Sequence, residues 1–184
     1  MRRFILSLSV ALVCACGAAP TIGGGGEPSA SPAQSPAQSP VALTCTTAGV
    51  ASSDWPKPEN APASAAIVSA TVSGDTLSLK FASGTPEFEV KPQGTATFEQ
   101  DASGQPVHLP GTAGVRIVLR GFRGDVSNYA GPNDLKTSGP LLLQASNIGD
   151  FEGVVSFAAG VSAPACANVA TDQSSLTFKF VAKP

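Results

Sequence analysis

The chain has 184 residues, enough for one domain or for one domain with extensions. Its 11 Lys and Arg stand against 13 Asp and Glu, and only 13% of its residues are charged, where about 25% is usual. Loss of Arg2 and Arg3 with an export signal would leave 9 basic against 13 acidic residues, a charge of −4. Nucleic acid and anionic membrane surfaces both need a basic patch, so this balance excludes them as electrostatic partners. The 19 Gly and 16 Pro exclude a mostly helical chain, because both residues break helices.

Residues 1–15 read as an export signal. Arg2 and Arg3 supply positive charge, and Phe4 to Val13 form an apolar run of about ten residues, half the roughly 20 needed to span a bilayer. Val13-Cys14-Ala15-Cys16-Gly17 then has the form of a lipobox: an aliphatic residue, a small residue, and a thiol that accepts a diacylglyceryl group. Cys16 fits this pattern better than Cys14, which would place Val13 immediately before the cut. The competing expectation is an ordinary signal cut after Ala15 or Ala19. Two or three acyl chains, palmitate among them, would hold the protein stably on a membrane, whereas one chain is marginal.

Residues 16–43 read as the lipid-bearing Cys and a disordered tether. Four glycines run from Gly23 to Gly26, and Ser-Pro-Ala-Gln occurs at Ser31 and again at Ser35, with Ser39-Pro40 starting a third copy. Such a stretch cannot bury enough apolar surface to offset its ordering entropy. Regular prolines favour an extended path, so about 24 residues at ~3 Å each would reach up to ~70 Å.

Residues 44–184 read as the folded part. Once Cys14 and Cys16 are assigned to the signal and anchor, Cys45 and Cys166 remain, and two cysteines in an exported domain pair. The bond would close a loop of about 120 residues and contribute ~4–5 kcal/mol in the chain-entropy model. Strands are predicted at 65–72, 76–81, 87–91, 95–99, 115–120, 141–148, 154–159 and 176–181. In the second of these, Leu77, Leu79 and Phe81 should face inward while Thr76, Ser78 and Lys80 face solvent. Gly- and Pro-containing turns separate nearly all of them. The pattern points to an all-β fold, a sandwich or barrel, and about 140 residues suffice for one core.

The order of motifs resembles a known family. Ser73-Gly-Asp-Thr-Leu-Ser-Leu-Lys-Phe81 is followed by Pro86-Glu-Phe-Glu-Val90 and Gly104-Gln-Pro-Val-His-Leu-Pro-Gly111. Tyr129-Ala-Gly-Pro132, Gly149-Asp-Phe-Glu-Gly-Val-Val-Ser-Phe-Ala-Ala-Gly-Val161 and Leu176-Thr-Phe-Lys-Phe-Val181 complete the series. It resembles the AMIN-like domain of exported bacterial lipoproteins over roughly residues 64–182. The resemblance implies a β-sandwich related to the AMIN domain, which localises cell-wall amidases and secretion proteins to the envelope. Members often carry Phe-Asp-Arg before the first alternating strand; here that place reads Gly74-Asp75-Thr76, without the basic residue.

Candidate chemistry is sparse. His108 is the only histidine, and no GxSxG elbow surrounds a serine, so a Ser–His–Asp site has no support. One histidine and one disulfide cannot fill a closed zinc site. Asp150 and Glu152 flank Phe151 and could form an acid/base pair or bind Ca²⁺; alternatively Asp150 bonds nearby backbone N–H groups in a turn while Phe151 packs inward. The longest irregular stretch, Gly121–Gly139, carries Arg123, Asn128 and Tyr129, whose polar groups and one aromatic face suit a sugar. The same loop could simply be pinned by Tyr129 packing. Trp55 either staples the start of the domain to the sandwich or stands exposed as a ligand platform. Arg116 and Arg120 share one face of a strand and are further candidates.

These observations give an expectation: an extracytoplasmic, lipid-anchored, non-enzymatic module with no cofactor or metal, binding peptidoglycan or another envelope glycan. The alternative is a module that docks an envelope protein on a sheet edge.

Overall fold

The alternation along Thr76–Phe81 becomes a strand in which Leu77, Leu79 and Phe81 are buried and Lys80 is exposed, the two-residue period of a sheet with one wet face. A computed structural model describes residues 41–46, 49–54, 66–122 and 127–183. The expected signal, Cys16, the spacer before residue 41, Trp55 and Arg123 lie outside these residues.

The strands in chain order are β1 (Val41–Leu43), β2 (Val50–Ala51), β3 (Ile67–Ser73), β4 (Thr76–Phe81), β5 (Glu87–Gln93), β6 (Thr97–Glu99), β7 (Pro106–His108), β8 (Ala113–Arg120), β9 (Asp134–Lys136), β10 (Leu142–Phe151), β11 (Val154–Val161), β12 (Ala165–Thr171) and β13 (Ser175–Ala182). One antiparallel sheet has the order β1-β12-β13-β4-β3, and a second has β2-β5-β8-β11-β10-β9. Strands β6 and β7 form a separate hairpin.

The two large sheets share one core, which makes the fold a β-sandwich. Leu77, Leu79, Leu176 and Phe178 come from the first sheet; Val90, Ile117, Leu119, Val155 and Phe157 come from the second. Each of the larger side chains contributes about 1.5–3 kcal/mol when fully buried. The ring of Phe88 on β5 meets that of Phe178 on β13 edge-on, with centroids 6.3 Å apart, so an aromatic pair spans the layers.

Cys45 and Cys166 form a disulfide with their Cα atoms 6.0 Å apart. It fastens the segment after β1 to β12, and the Cys45 N–H donates to Asn168 Oδ1 at 2.8 Å on the same strand.

The short strands β2 and β7 were not predicted, and four further places differ from the sequence pattern. Strand β12 was not predicted, because Ala165, Ala167 and Val169 on its inward face carry little β-branched bulk. It is made a strand by pairing on both sides, with β1 and β13. Strand β9 lies inside the stretch read as irregular; its single apolar residue, Leu135, gives no period, and pairing with β10 holds it in place. Strand β1 falls at 41–43, in the stretch read as spacer. Finally, Phe151 does not pack inward: it is 53% exposed.

The two-residue turn between β3 and β4 ties the layers together at one end. Asp75 Oδ1 accepts from the Leu141 and Leu142 N–H groups, each at 2.8 Å, at the start of β10. Thr137 Oγ1 donates to the Gly74 carbonyl at 3.0 Å, and the Phe180 N–H donates to the Asp75 carbonyl at 2.8 Å. The partners of the carboxylate are main-chain N–H groups, so the turn closes without a basic side chain. Hydrogen bonds to a charged acceptor are worth about 1.5–3 kcal/mol each. Asp75→Ala is therefore expected to lower unfolding stability by about 3 kcal/mol, with a smaller loss in Asp75→Asn, read as a shifted urea midpoint at unchanged slope.

Candidate functional site

The outer face of the β5–β8–β11 sheet is divided in two. Gly114 on β8 stands opposite Gly160 on β11. A Cβ on Gly114 would collide with the Phe98 ring, and one on Gly160 with the Pro110 carbonyl. The missing side chains let the β6–β7 hairpin lie directly on the sheet, where Phe98 and Leu109 bury against Ala158 and Ile148. The neighbouring half of the same face stays uncovered and forms an open groove of about 570 Å³.

Strand register builds the groove. Val118 forms the floor, opposite Glu89 on β5 and Ser156 on β11. Arg116 and Arg120 flank Val118 along β8, two residues to either side and on the same face. Lys91 lies opposite Arg116, and Val154 opposite Arg120. The turn after β6 adds Asp101, and the β10–β11 hairpin adds Phe151 and Glu152. Asp101 forms an ion pair with Arg116, while its backbone N–H donates to the Ile148 carbonyl at 3.0 Å, fixing the turn on β10. Glu89 serves two cations, Lys91 at 2.8 Å and Arg120 at 3.8 Å.

Two features of the groove cost folding energy. Ser156 is 1% exposed, and its Oγ is the one buried side-chain polar atom among the described residues that has no hydrogen-bond partner. Elsewhere buried polar side chains are satisfied: Ser127 by Asp150, and Gln144 and Ser146 by Asp134. Glu152 occupies the left-handed region at φ +52° in a turn where Gly153 also has positive φ. That backbone favours Asn-Gly, and a glutamate there is strained. Strain of this kind concentrates at functional sites.

The structure brings together Arg116 and Arg120 from the sequence-derived candidates. Asn128 and Tyr129 do not line the groove. The Tyr129 ring packs on Phe157, an inward-facing residue of β11, with centroids 6.0 Å apart, and its hydroxyl donates to the Pro132 carbonyl at 2.9 Å. Asn128 has φ +54° at the bend before it. Asp150 and Glu152 do not form a pair: Asp150 accepts from the Ser127 N–H at 2.8 Å and hydroxyl at 2.6 Å, while Glu152 faces the groove. His108 is exposed on β7, 3.0 Å from Thr97 Oγ1. Among the described residues no group of three His, Cys, Asp or Glu is placed to hold a metal.

Sequence reasoning missed Glu89, Lys91, Asp101, Phe151 and Ser156 as groove residues. A signal existed in the charged outward positions of two strands, Glu89 and Lys91 on one and Arg116 and Arg120 on the other. Only the register, which sequence does not carry, puts those strands side by side.

A family model for the AMIN-like domain matches residues 75–176, more than half of the chain, and the chain belongs to that family. The matched segment contains every residue of the groove. AMIN-like domains are envelope-associated and generally extracytoplasmic. No curated protein and no solved structure matched the chain.

Two measurements check this site. Burial raises the pKa of Tyr129 above the ordinary 10.0. Folding then favours the neutral phenol, so stability falls once pH rises through the unfolded value near 10. Because Tyr129 is the only tyrosine, the tyrosinate absorbance of the chain should titrate above pH 10, and return to the free value on unfolding. In the groove, Ser156→Ala and Glu152→Asn should each raise unfolding stability by about 1 kcal/mol, because each removes a cost that the fold bears. A loss of stability in both would show that these side chains serve packing instead.

Proposed function

We propose that the chain is a non-enzymatic surface module, lipid-anchored through Cys16, that binds peptidoglycan or another envelope glycan in the groove on the β5–β8–β11 face. The observation that carries this reading is the pairing of an exposed aromatic ring with convergent planar polar groups. Phe151 is 53% exposed at the edge of a groove that also holds Arg116, Arg120, Glu89, Asp101 and Glu152. An aromatic face covers the apolar side of a pyranose, and guanidinium and carboxylate groups hydrogen-bond its hydroxyls. Membership of an envelope-associated family supports the setting. The lipobox around Cys16 and the Pro-rich spacer are consistent with a head held away from a membrane.

A sheet-edge partner is the second reading, favoured by β3. It is an edge strand of seven residues with no charged side chain, and Val68 on it is 60% exposed.

Co-sedimentation of the full chain, kept soluble in mild detergent, with purified sacculi tests the glycan reading. Saturable pelleting is expected, reduced at least tenfold by Phe151→Ala or Arg120→Ala and retained by Tyr129→Phe. Loss in Tyr129→Phe with retention in Phe151→Ala would move the site to the 127–133 loop, and no pelleting at all would end the glycan reading. The anchor is checked separately in cells: Cys16→Ser should shift the chain from the membrane fraction to the soluble fraction and abolish incorporation of labelled palmitate.

A further inference from the structure

The groove has more donors for an anion than its own carboxylates use. Asp101 answers Arg116. Glu89 alone answers both Lys91 and Arg120, and its contact with Arg120 is the long one, 3.8 Å. Glu152, the third carboxylate, forms no ion pair within the described residues. The three cations and three carboxylates of the groove balance in charge, so what is left over is donor capacity: most of the five N–H donors of Arg120 are unused.

Ser156 sits where those donors converge. On β11 it stands opposite Val118, diagonal to both Arg116 and Arg120 across the β8–β11 ladder. Diagonal neighbours lie about 7–8 Å apart, within reach of a guanidinium. Its buried hydroxyl, without a partner, lines the groove between them. A hydroxyl donor and two guanidinium groups around one point match an acceptor-only group, and charge-assisted bonds from guanidinium to carboxylate or phosphate are the strong ones. A neutral sugar hydroxyl would leave part of this donor set unpaired.

We propose that the groove selects an acidic glycan, one whose carboxylate or phosphate is held over Ser156 by Arg120 and Arg116 while its sugar ring lies against Phe151. This rests on the glycan reading above and sharpens it. A charged saccharide is chosen over its neutral counterpart, by local donors rather than by the net charge of the molecule, which is negative.

The test is calorimetric titration of the full chain with two oligosaccharides of equal length, a neutral N-acetylglucosamine tetramer and a hyaluronan tetrasaccharide that alternates N-acetylglucosamine with glucuronic acid. Glucuronic acid and N-acetylglucosamine 6-phosphate in parallel separate a carboxylate source from a phosphate source. The acidic tetrasaccharide or the phosphosugar is expected to bind at least about tenfold tighter than its neutral counterpart, the size of one charge-assisted bond. The preference should shrink with added salt. Ser156→Ala and Arg120→Gln should each erase most of the preference, and Arg120→Lys should keep part of it. Equal affinity for acidic and neutral ligands, with sacculi still pelleted, would overturn the acid selectivity and leave the glycan reading standing. Failure to bind sacculi and every saccharide would overturn both.

Discussion

A gap one side chain deep determines how the outer face of the six-stranded sheet is used. Where Gly114 and Gly160 face each other, two adjacent strands present bare backbone, and the β6–β7 hairpin settles into that space. Everything beside it follows. The hairpin carries Asp101 to Arg116, which closes one end of the groove, and leaves Glu89, Val118 and Arg120 open with Ser156 buried between them. A side chain at either glycine would lift the hairpin, and the wall of the groove would move with it.

The groove is also where the molecule departs from the economy of the rest. Ser127, Gln144 and Ser146 are buried and each has a bonding partner, and Asp75 holds the layers together with hydrogen bonds to main-chain donors alone. Against that background an unanswered hydroxyl at Ser156 and a glutamate in left-handed backbone at Glu152 stand within one small region. Both are consistent with side chains kept for something outside the chain.

Much of the fold was legible because local pattern and burial agree. The alternation in β4 and β13, and the apolar runs of β8 and β11, state which side chains point inward. β12 was not legible, because alanines carry no period strong enough to read and neighbours impose the strand. The site was half legible. Arg116 and Arg120 could be placed on one face from their spacing, but Phe151 was expected inward, because a phenylalanine between two acids suggests a turn capped by its own hydrophobe. Its exposure comes from the tight hairpin Glu152-Gly153, a feature of backbone sign that residue types only hint at. For Tyr129 the sequence left two readings open, a platform for a sugar or a ring that pins its loop, and the ring is held against Phe157.

The Cys45–Cys166 bond has a mechanical consequence. Every residue that lines the groove lies between the two cysteines in sequence, from Glu89 to Ser156. Tension applied between the two ends of the chain therefore travels from Cys45 straight across to Cys166 and out along β12 and β13. The intervening 120 residues form a covalent bypass loop that carries no load. Stretching can peel three residues of β1 from β12 and strain the last hairpin, while the groove keeps its shape.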